Sequence, residues 1–183
     1  MNSLENRNAH PRDKCIGFQE EGHKYFINEG LLTNKESKEI EETYKSVTTF
    51  IHDLFHVFNA DEVISRMMRS RRWKDSKYFG MSKEEIKESW ANNAKEASEA
   101  GTKLHNDIEK FYNSIEIDNR SKEWGYFENF LKDHSDFIPY RTEWTLWDAE
   151  SKICGSVDMI FINADGTLTI YDWKRTKEIK REN

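Results

Sequence analysis

Asp158, Asp172 and Lys174 are the residues of this chain whose types and spacing suit joint chemistry. They lie on two apolar, β-branched runs, 157–162 and 167–171, separated by Asn163-Ala164-Asp165-Gly166. An Asp-Gly pair between such runs is a strong hairpin signal. With Ala164, Asp165 and Gly166 as the loop, and Gly166 in the left-handed conformation, Asn163 pairs with Thr167. That register sets Asp158 directly opposite Asp172, with Cβ atoms about 4.5–5.5 Å apart. Like charges so placed destabilise a sheet unless a cation lies between them or one carboxyl stays protonated. Lys174, two residues beyond Asp172, projects from the same face. Two carboxylates and an ammonium on one patch suit a metal-dependent hydrolytic site. The plainer reading is a surface hairpin on which Asp172 and Lys174 form a solvated ion pair, and a longer loop would offset the two aspartates by one position.

Other candidates come from the preceding turn and from the helix before the sheet. If Asp148 pairs with Ser151 across the preceding turn, Glu143 lies opposite Ser156, on the Asp158 face, as a third carboxylate. A one-residue shift turns it away, to pair with Arg141 or a lysine. His105 and Glu109, four residues apart, share one helix face. A histidine beside Leu104 and Ile108 is commonly a satisfied core residue, and spacing alone does not connect it to Asp158.

The elements that must position these groups follow from periodicity and caps. Residues 1–14 are polar. Residues 17–27 suggest a small hairpin around Glu21-Gly22, and 28–45 a surface loop or short helix. After Ser46-Val47-Thr48-Thr49, with Thr48 or Thr49 as cap, Phe50, Ile51, Leu54, Phe55, Val57 and Phe58 form an apolar face at helical spacing. Asn59 or Asp61 caps the next helix, which buries Val63, Ile64, Met67 and Met68 and turns Arg66 and Arg69 outward. Ser82 and Glu85 form a capping box for a long helix through Trp90 to Ala100. Gly101-Thr102 is expected to interrupt it before a further helix carrying His105. Ser121 caps a helix that packs Trp124, Phe127, Phe130 and Leu131 inward. From Tyr140 the period becomes alternating, with strands at 142–148 and 152–162, a turn at 149–151, and then the hairpin. A mainly helical front half followed by a three-stranded antiparallel meander is an α+β arrangement. The expected division is 1–45, a helical subdomain at 46–98, and a core at 99–183.

Composition narrows the class. The chain has 183 residues, 34% charged and 36% hydrophobic, yet its 6 Trp, 7 Tyr and 11 Phe supply enough large side chains to argue against disorder. No run approaches the roughly 18 apolar residues of a membrane span, and no signal-peptide pattern is present, so an intracellular protein is expected. Cys15 and Cys154 lack ligand-type spacing and read as reduced thiols. A net charge of −6 does not announce a nucleic-acid binder, although acidic metal-site residues can mask local basic patches.

Three motifs together carry a family resemblance. Gly101-Thr102-x-x-His105-x-x-Ile108-Glu109, Gly155-x-Val157-Asp158, and the apolar strand ending Asp172-Trp173-Lys174 resemble the PD-(D/E)XK nuclease superfamily. The closest likeness is to the RecB-type and viral-exonuclease branch, which has a histidine on the helix before the sheet. The motifs stand in family order over residues 100–175. A looser similarity from Ser46-Val47-Thr48 through Arg141-Thr142-Glu143-Trp144 extends to nuclease domains of large DNA viruses. The resemblance implies a restriction-endonuclease-like core and a DNase of replication, recombination or repair. It makes Asp158 and Asp172 metal ligands, adds His105 and the Trp173 backbone carbonyl, and gives Lys174 the attacking water and scissile phosphate. Glu143 and Glu109 follow as outer or second-metal candidates. Carboxylates suit Mg²⁺ or Mn²⁺, and a histidine favours Mn²⁺.

Two departures from the family pattern matter. Its iron–sulfur members need four cysteines, so no such cluster is expected with two. The family also continues past the lysine strand into a helix and another strand, so either a further C-terminal segment or domain follows Asn183, which is the expectation, or the sheet is completed differently.

For substrate, Arg66, Arg69, Arg71, Arg72 and Lys74 with Trp73 and Tyr78 form the densest basic segment, suited to phosphates and stacked bases. The plainer reading is a solvated helix face with Trp73 packed on the core. Lys174, Arg175, Lys177, Lys180 and Arg181 form a second basic run, suited to the DNA backbone. No base-reading module is visible. The competing expectations are an RNA endonuclease of the same superfamily and a non-catalytic nucleic-acid-binding or interaction module.

Overall fold

The computed structural model describes residues 3–19, 24–28 and 44–176. Glu21-Gly22, nearly all of 28–45, and Lys177, Lys180 and Arg181 therefore lie outside the described residues. The molecule is a mixed α+β protein. A short helix α1 (Leu4–Arg7) and a 3₁₀ turn (Asp13–Cys15) lead into a two-stranded antiparallel ribbon, β1 (Ile16–Gln19) and β2 (Lys24–Ile27). A second sheet holds β3 (Lys45–Ser46), β4 (Ile138–Asp148), β5 (Ile153–Ile162) and β6 (Leu168–Tyr171). Helices α2 (Val47–Asp53), α3 (Ala60–Met68), α4 (Lys83–Tyr112) and α5 (Lys122–Asp133) separate β3 from β4.

The strand β5 is central. It pairs antiparallel with β4 along one edge; its other edge is shared by β3, parallel at Ile153–Cys154, and β6, antiparallel at Met159–Ile162. Its sequence accords with that position: Cys154, Met159, Ile160 and Phe161 are all buried, as a strand covered on both faces requires. The parallel partner β3 has no counterpart in the sequence reading, because two residues carry no periodicity.

Among the described residues, two clusters hold much of the apolar burial. Cys15, Tyr25, Ile27, Tyr44, Trp147 and Cys154 close one end of the sheet. Ile108 of α4, Trp124 and Phe127 of α5, and the flanking Leu104, Tyr112, Phe130 and Trp173 close the other. Full burial of a side chain such as Ile108 contributes about 1.5–3 kcal/mol, and this second cluster clamps α4 and α5 against the end of β6.

Each helix begins where a side chain accepts a free amide. Ser46 Oγ accepts from Thr49 N, Asn59 from Glu62 N, Ser121 from Trp124 N, and Ser82 with Glu85 completes the capping box. The cap of α2 is thus Ser46, two or three residues earlier than expected. The expected break at Gly101 does not occur: α4 runs uninterrupted through 30 residues, and positions 98 and 99 lie inside it. One helical glycine costs only about 1 kcal/mol, which a capped helix anchored at Ile86 and Ile108 absorbs.

The apolar residues after Thr49 do not make a buried face. The helix ends at Asp53, and Leu54, Phe55, Val57 and Phe58 are 67–93% exposed. On α3, Ile64 is buried, Met67 and Met68 are half-buried, and Val63 is exposed. Both cysteines are free and buried. Among the described residues no helix is long and apolar enough to cross a membrane.

Candidate metal centre

The hairpin from β5 to β6 has the register its Asp-Gly turn calls for. Asn163 N–H donates to Thr167 O at 2.8 Å, Gly166 N–H donates to Asn163 O at 2.9 Å, and Gly166 has φ +83°. The last ladder pair is Met159 with Tyr171, which sets Asp158 and Asp172 at the next, unladdered position. Beyond Tyr171 the chain leaves the sheet. Asp172 Oδ1 accepts from Lys174 Nζ at 2.8 Å, and both side chains are more than half exposed.

Glu143 reaches the centre through a different pairing from the expected one. Asp148 pairs with Ile153, so the turn runs over 149–152, with Lys152 at φ +55°. This is two residues longer than an Asp148–Ser151 pairing, and an even shift preserves the face. Thr142 pairs with Met159 and Trp144 with Val157, bracketing Glu143 against Asp158 instead of Ser156. Glu143 itself has φ +43°, a left-handed conformation that costs a non-glycine residue about 1–2 kcal/mol.

The flanking residues hold that conformation. Arg141, 4% exposed, donates through one guanidinium nitrogen to Asp13 Oδ2 at 2.7 Å and to Asn8 O at 3.0 Å. Trp144 Nε1 donates to Asp13 Oδ1 at 2.8 Å. Burial pushes the Asp13 carboxyl up, but bonds from Arg141, the His10 amide and Trp144 hold it below the ordinary range. Asp13 thus braces β4 on either side of Glu143. It lies 128 residues before Arg141, and no local pattern announces it.

The helix α4 delivers the third group. His105 Nδ1 lies 3.5 Å from Asp158 Oδ2 and 3.7 Å from Glu143 Oε1. Its Nε2 is 2.8 Å from the Trp173 carbonyl, so Nε2 carries the proton that is donated there. In the neutral ring, Nδ1 then presents its lone pair to the two carboxylates. The same peptide unit serves Asp158, whose Oδ2 accepts from Trp173 N at 2.8 Å. Trp173 therefore orients the histidine with its carbonyl and the aspartate with its amide, while its ring packs against Phe127 and Phe130.

Electrostatics mark this as a strained trio. The Glu143 carboxylate, an acceptor for a proton on Nδ1, raises the His105 pKa above 6.5 against the lowering effect of burial, helped by Asp158 and the Trp173 carbonyl. Burial is the largest influence on Asp158 and raises it; the Trp173 amide and His105 oppose, and Glu143 and Asp172 add to the rise. Glu109, one turn along α4 from His105, is raised by burial and then by Glu143 and Glu5. It lines with Glu143 a cavity of about 410 Å³.

One ligand atom each from His105, Glu143 and Asp158 lies within 4.8 Å of the others. Ligands of a single Mg²⁺ or Mn²⁺ at about 2.1 Å can lie at most about 4.2 Å apart. The trio therefore fits a divalent ion after an adjustment of roughly half an ångström. Two carboxylate oxygens and one imidazole nitrogen, with the other ring nitrogen held by a carbonyl, are a donor set suited to Mn²⁺.

The other expected residues are not members of this trio. Asp172 stands outside the trio, paired with Lys174, and the Trp173 carbonyl is engaged by His105. Arg175 Nε donates to Glu123 Oε1 at 2.8 Å. Arg66, Arg69, Arg72 and Lys74 are exposed and Trp73 half-buried, on and after α3. Lys177 lies outside the described residues. Comparison with known proteins gives no matching family model, no matching curated protein and no matching solved structure.

Proposed function

We propose that the protein is a divalent-metal-dependent nuclease that hydrolyses phosphodiester bonds of DNA. The observation that carries the reading is the convergence of His105, Glu143 and Asp158 from three separate elements, with Lys174 two residues past the hairpin partner of Asp158. The meander β4–β5–β6 with α4 laid beside it supports a restriction-endonuclease-like core. A bound divalent ion there supplies Lewis acidity to a phosphate and lowers the pKa of its water.

The chain's own residues have distinct tasks in this reading. Asp158 and Glu143 supply negative oxygens, and His105 supplies a nitrogen whose direction the Trp173 carbonyl fixes. Asp172 raises the pKa of Lys174 by direct hydrogen bonding, so Lys174 is an ammonium at neutral pH. It steadies phosphate charge and positions water as a donor; a raised pKa makes it a poor base. Asp172 keeps that ammonium in place and adds its field to Asp158.

End-labelled DNA and RNA, single- and double-stranded, incubated with Mn²⁺, with Mg²⁺ and with chelator, tests the reading. Metal-dependent cleavage of DNA, lost by more than about 100-fold in Asp158→Asn, is expected. Cleavage confined to RNA would move the substrate class, and metal-independent cleavage would remove the reading altogether.

A further inference from the structure

We propose that the segment joining α2 to α3 and the basic stretch after α3 form a dock for single-stranded nucleic acid, set apart from the metal centre on the same long helix. Its role in feeding the centre rests on the nuclease reading; its binding does not.

Three exposed rings carry the proposal. Phe55 is 70% exposed, Phe58 67% and Phe79 54%. Phe58 and Phe79 belong to one surface, because Trp90 of α4 packs against both Phe58 and Tyr78, at 6.0 and 6.1 Å between ring centroids, and Trp73 packs against Phe79, next to Tyr78, at 6.0 Å; Phe55 lies three residues before Phe58 on the joining segment. Aromatic rings left open to water at this density call for a partner.

Charge selects the partner. Residues 66–79 hold six cations against one acid, Asp75, in a chain whose net charge is −6. Arg66, Arg71, Arg72, Lys74 and Lys77 are exposed and, among the described residues, form no ion pair. Cations that neutralise phosphates, interleaved with rings that take the faces of unpaired bases, are the chemistry of single-strand binding. A duplex would use the cations and leave the rings idle.

Placement gives the dock a purpose. Trp90 and His105 stand on one unbroken helix, 15 residues and so about 22 Å apart. At about 3.4 Å per stacked nucleotide, a strand held at the rings reaches the centre within six or seven nucleotides. The intervening stretch of α4, residues 91–99, is exposed on every side and leaves that path open.

The test is fluorescence anisotropy of a labelled 20-nucleotide single strand and of the matching blunt duplex, in chelator so that nothing is cut. Wild type should bind the single strand at least tenfold more tightly than the duplex. The double variant Phe55→Ser/Phe58→Ser should lose at least tenfold for the single strand with duplex affinity unmoved. Arg71→Glu/Arg72→Glu should weaken both and flatten the salt dependence. All four side chains are exposed, and circular dichroism checks that the variants fold. Unchanged single-strand affinity in the ring variant would overturn the dock, as would ring-dependent self-association or protein binding in place of strand binding. Single-strand binding without cleavage in Mn²⁺ would sink the nuclease reading and leave the dock standing, whereas cleavage with ring-indifferent binding would sink the dock alone.

Discussion

The peptide unit of Trp173 decides how His105 and Asp158 face one another. Its carbonyl accepts a hydrogen bond from Nε2–H and its amide donates one to an Asp158 oxygen, so neither side chain is free to turn away. In the metal-free protein Nδ1 then lies between two carboxylates, and the ring holds a proton above its ordinary pKa of 6.5. Glu143→Gln removes the largest cause and should lower the His105 pKa, read by NMR titration of the ring; a titration that this substitution leaves unmoved would contradict the contact. The Asp158 register was legible from Asp165-Gly166 once the loop is three residues long, since the loop fixes every pair behind it. The Glu143 register was open in the sequence because the loop at 149–152 carries no glycine to fix its length. The roles of Asp13, Arg141 and the Trp173 amide were not legible at all, being contacts between segments remote in sequence.

At the scale of elements, two glycines behave oppositely. Gly166 holds φ +83° in the turn that sets the hairpin register, so Gly166→Ala should destabilise the protein by about 1 kcal/mol. Gly101 lies in the interior of α4, and an added Cβ meets nothing within 4 Å. Gly101→Ala should therefore stabilise by about 0.5–1 kcal/mol, raising the midpoint of thermal or urea unfolding. A lowered midpoint would mean that α4 is kinked or crowded there. Capping boxes and serine caps made the starts of α4 and α5 readable in the sequence, whereas glycine marks a helix end only when the following residues stop forming helix, and Thr102-Lys103-Leu104 do not. The apolar run after Thr49 misled for a related reason: helical spacing shows that residues share a face, not that anything covers it.

For the whole molecule, the trio links stability to pH and to metal. A histidine whose folded pKa is raised adds stability that is fully present below its unfolded value of 6.5 and is lost as pH rises through the folded value. Metal-free protein should accordingly melt at a higher temperature near pH 6 than near pH 8. Mn²⁺ requires the neutral ring, so its stabilising effect should grow across the same window, and a saturating ion at about 100 times its dissociation constant should add about 2.7 kcal/mol. Calorimetric melts at the two pH values, with and without Mn²⁺, check both signs. The α+β order was readable from the change of period near Tyr140; the closure of the sheet by β3 was not, because it depends on a two-residue parallel contact. The most direct measurement is cleavage of end-labelled DNA by wild type and by Asp158→Asn in Mn²⁺ and in chelator. Cleavage by wild type in Mn²⁺ alone, absent from a folded Asp158→Asn, is the expected result; equal cleavage by the two proteins, or none by a wild type that binds Mn²⁺, would contradict the account.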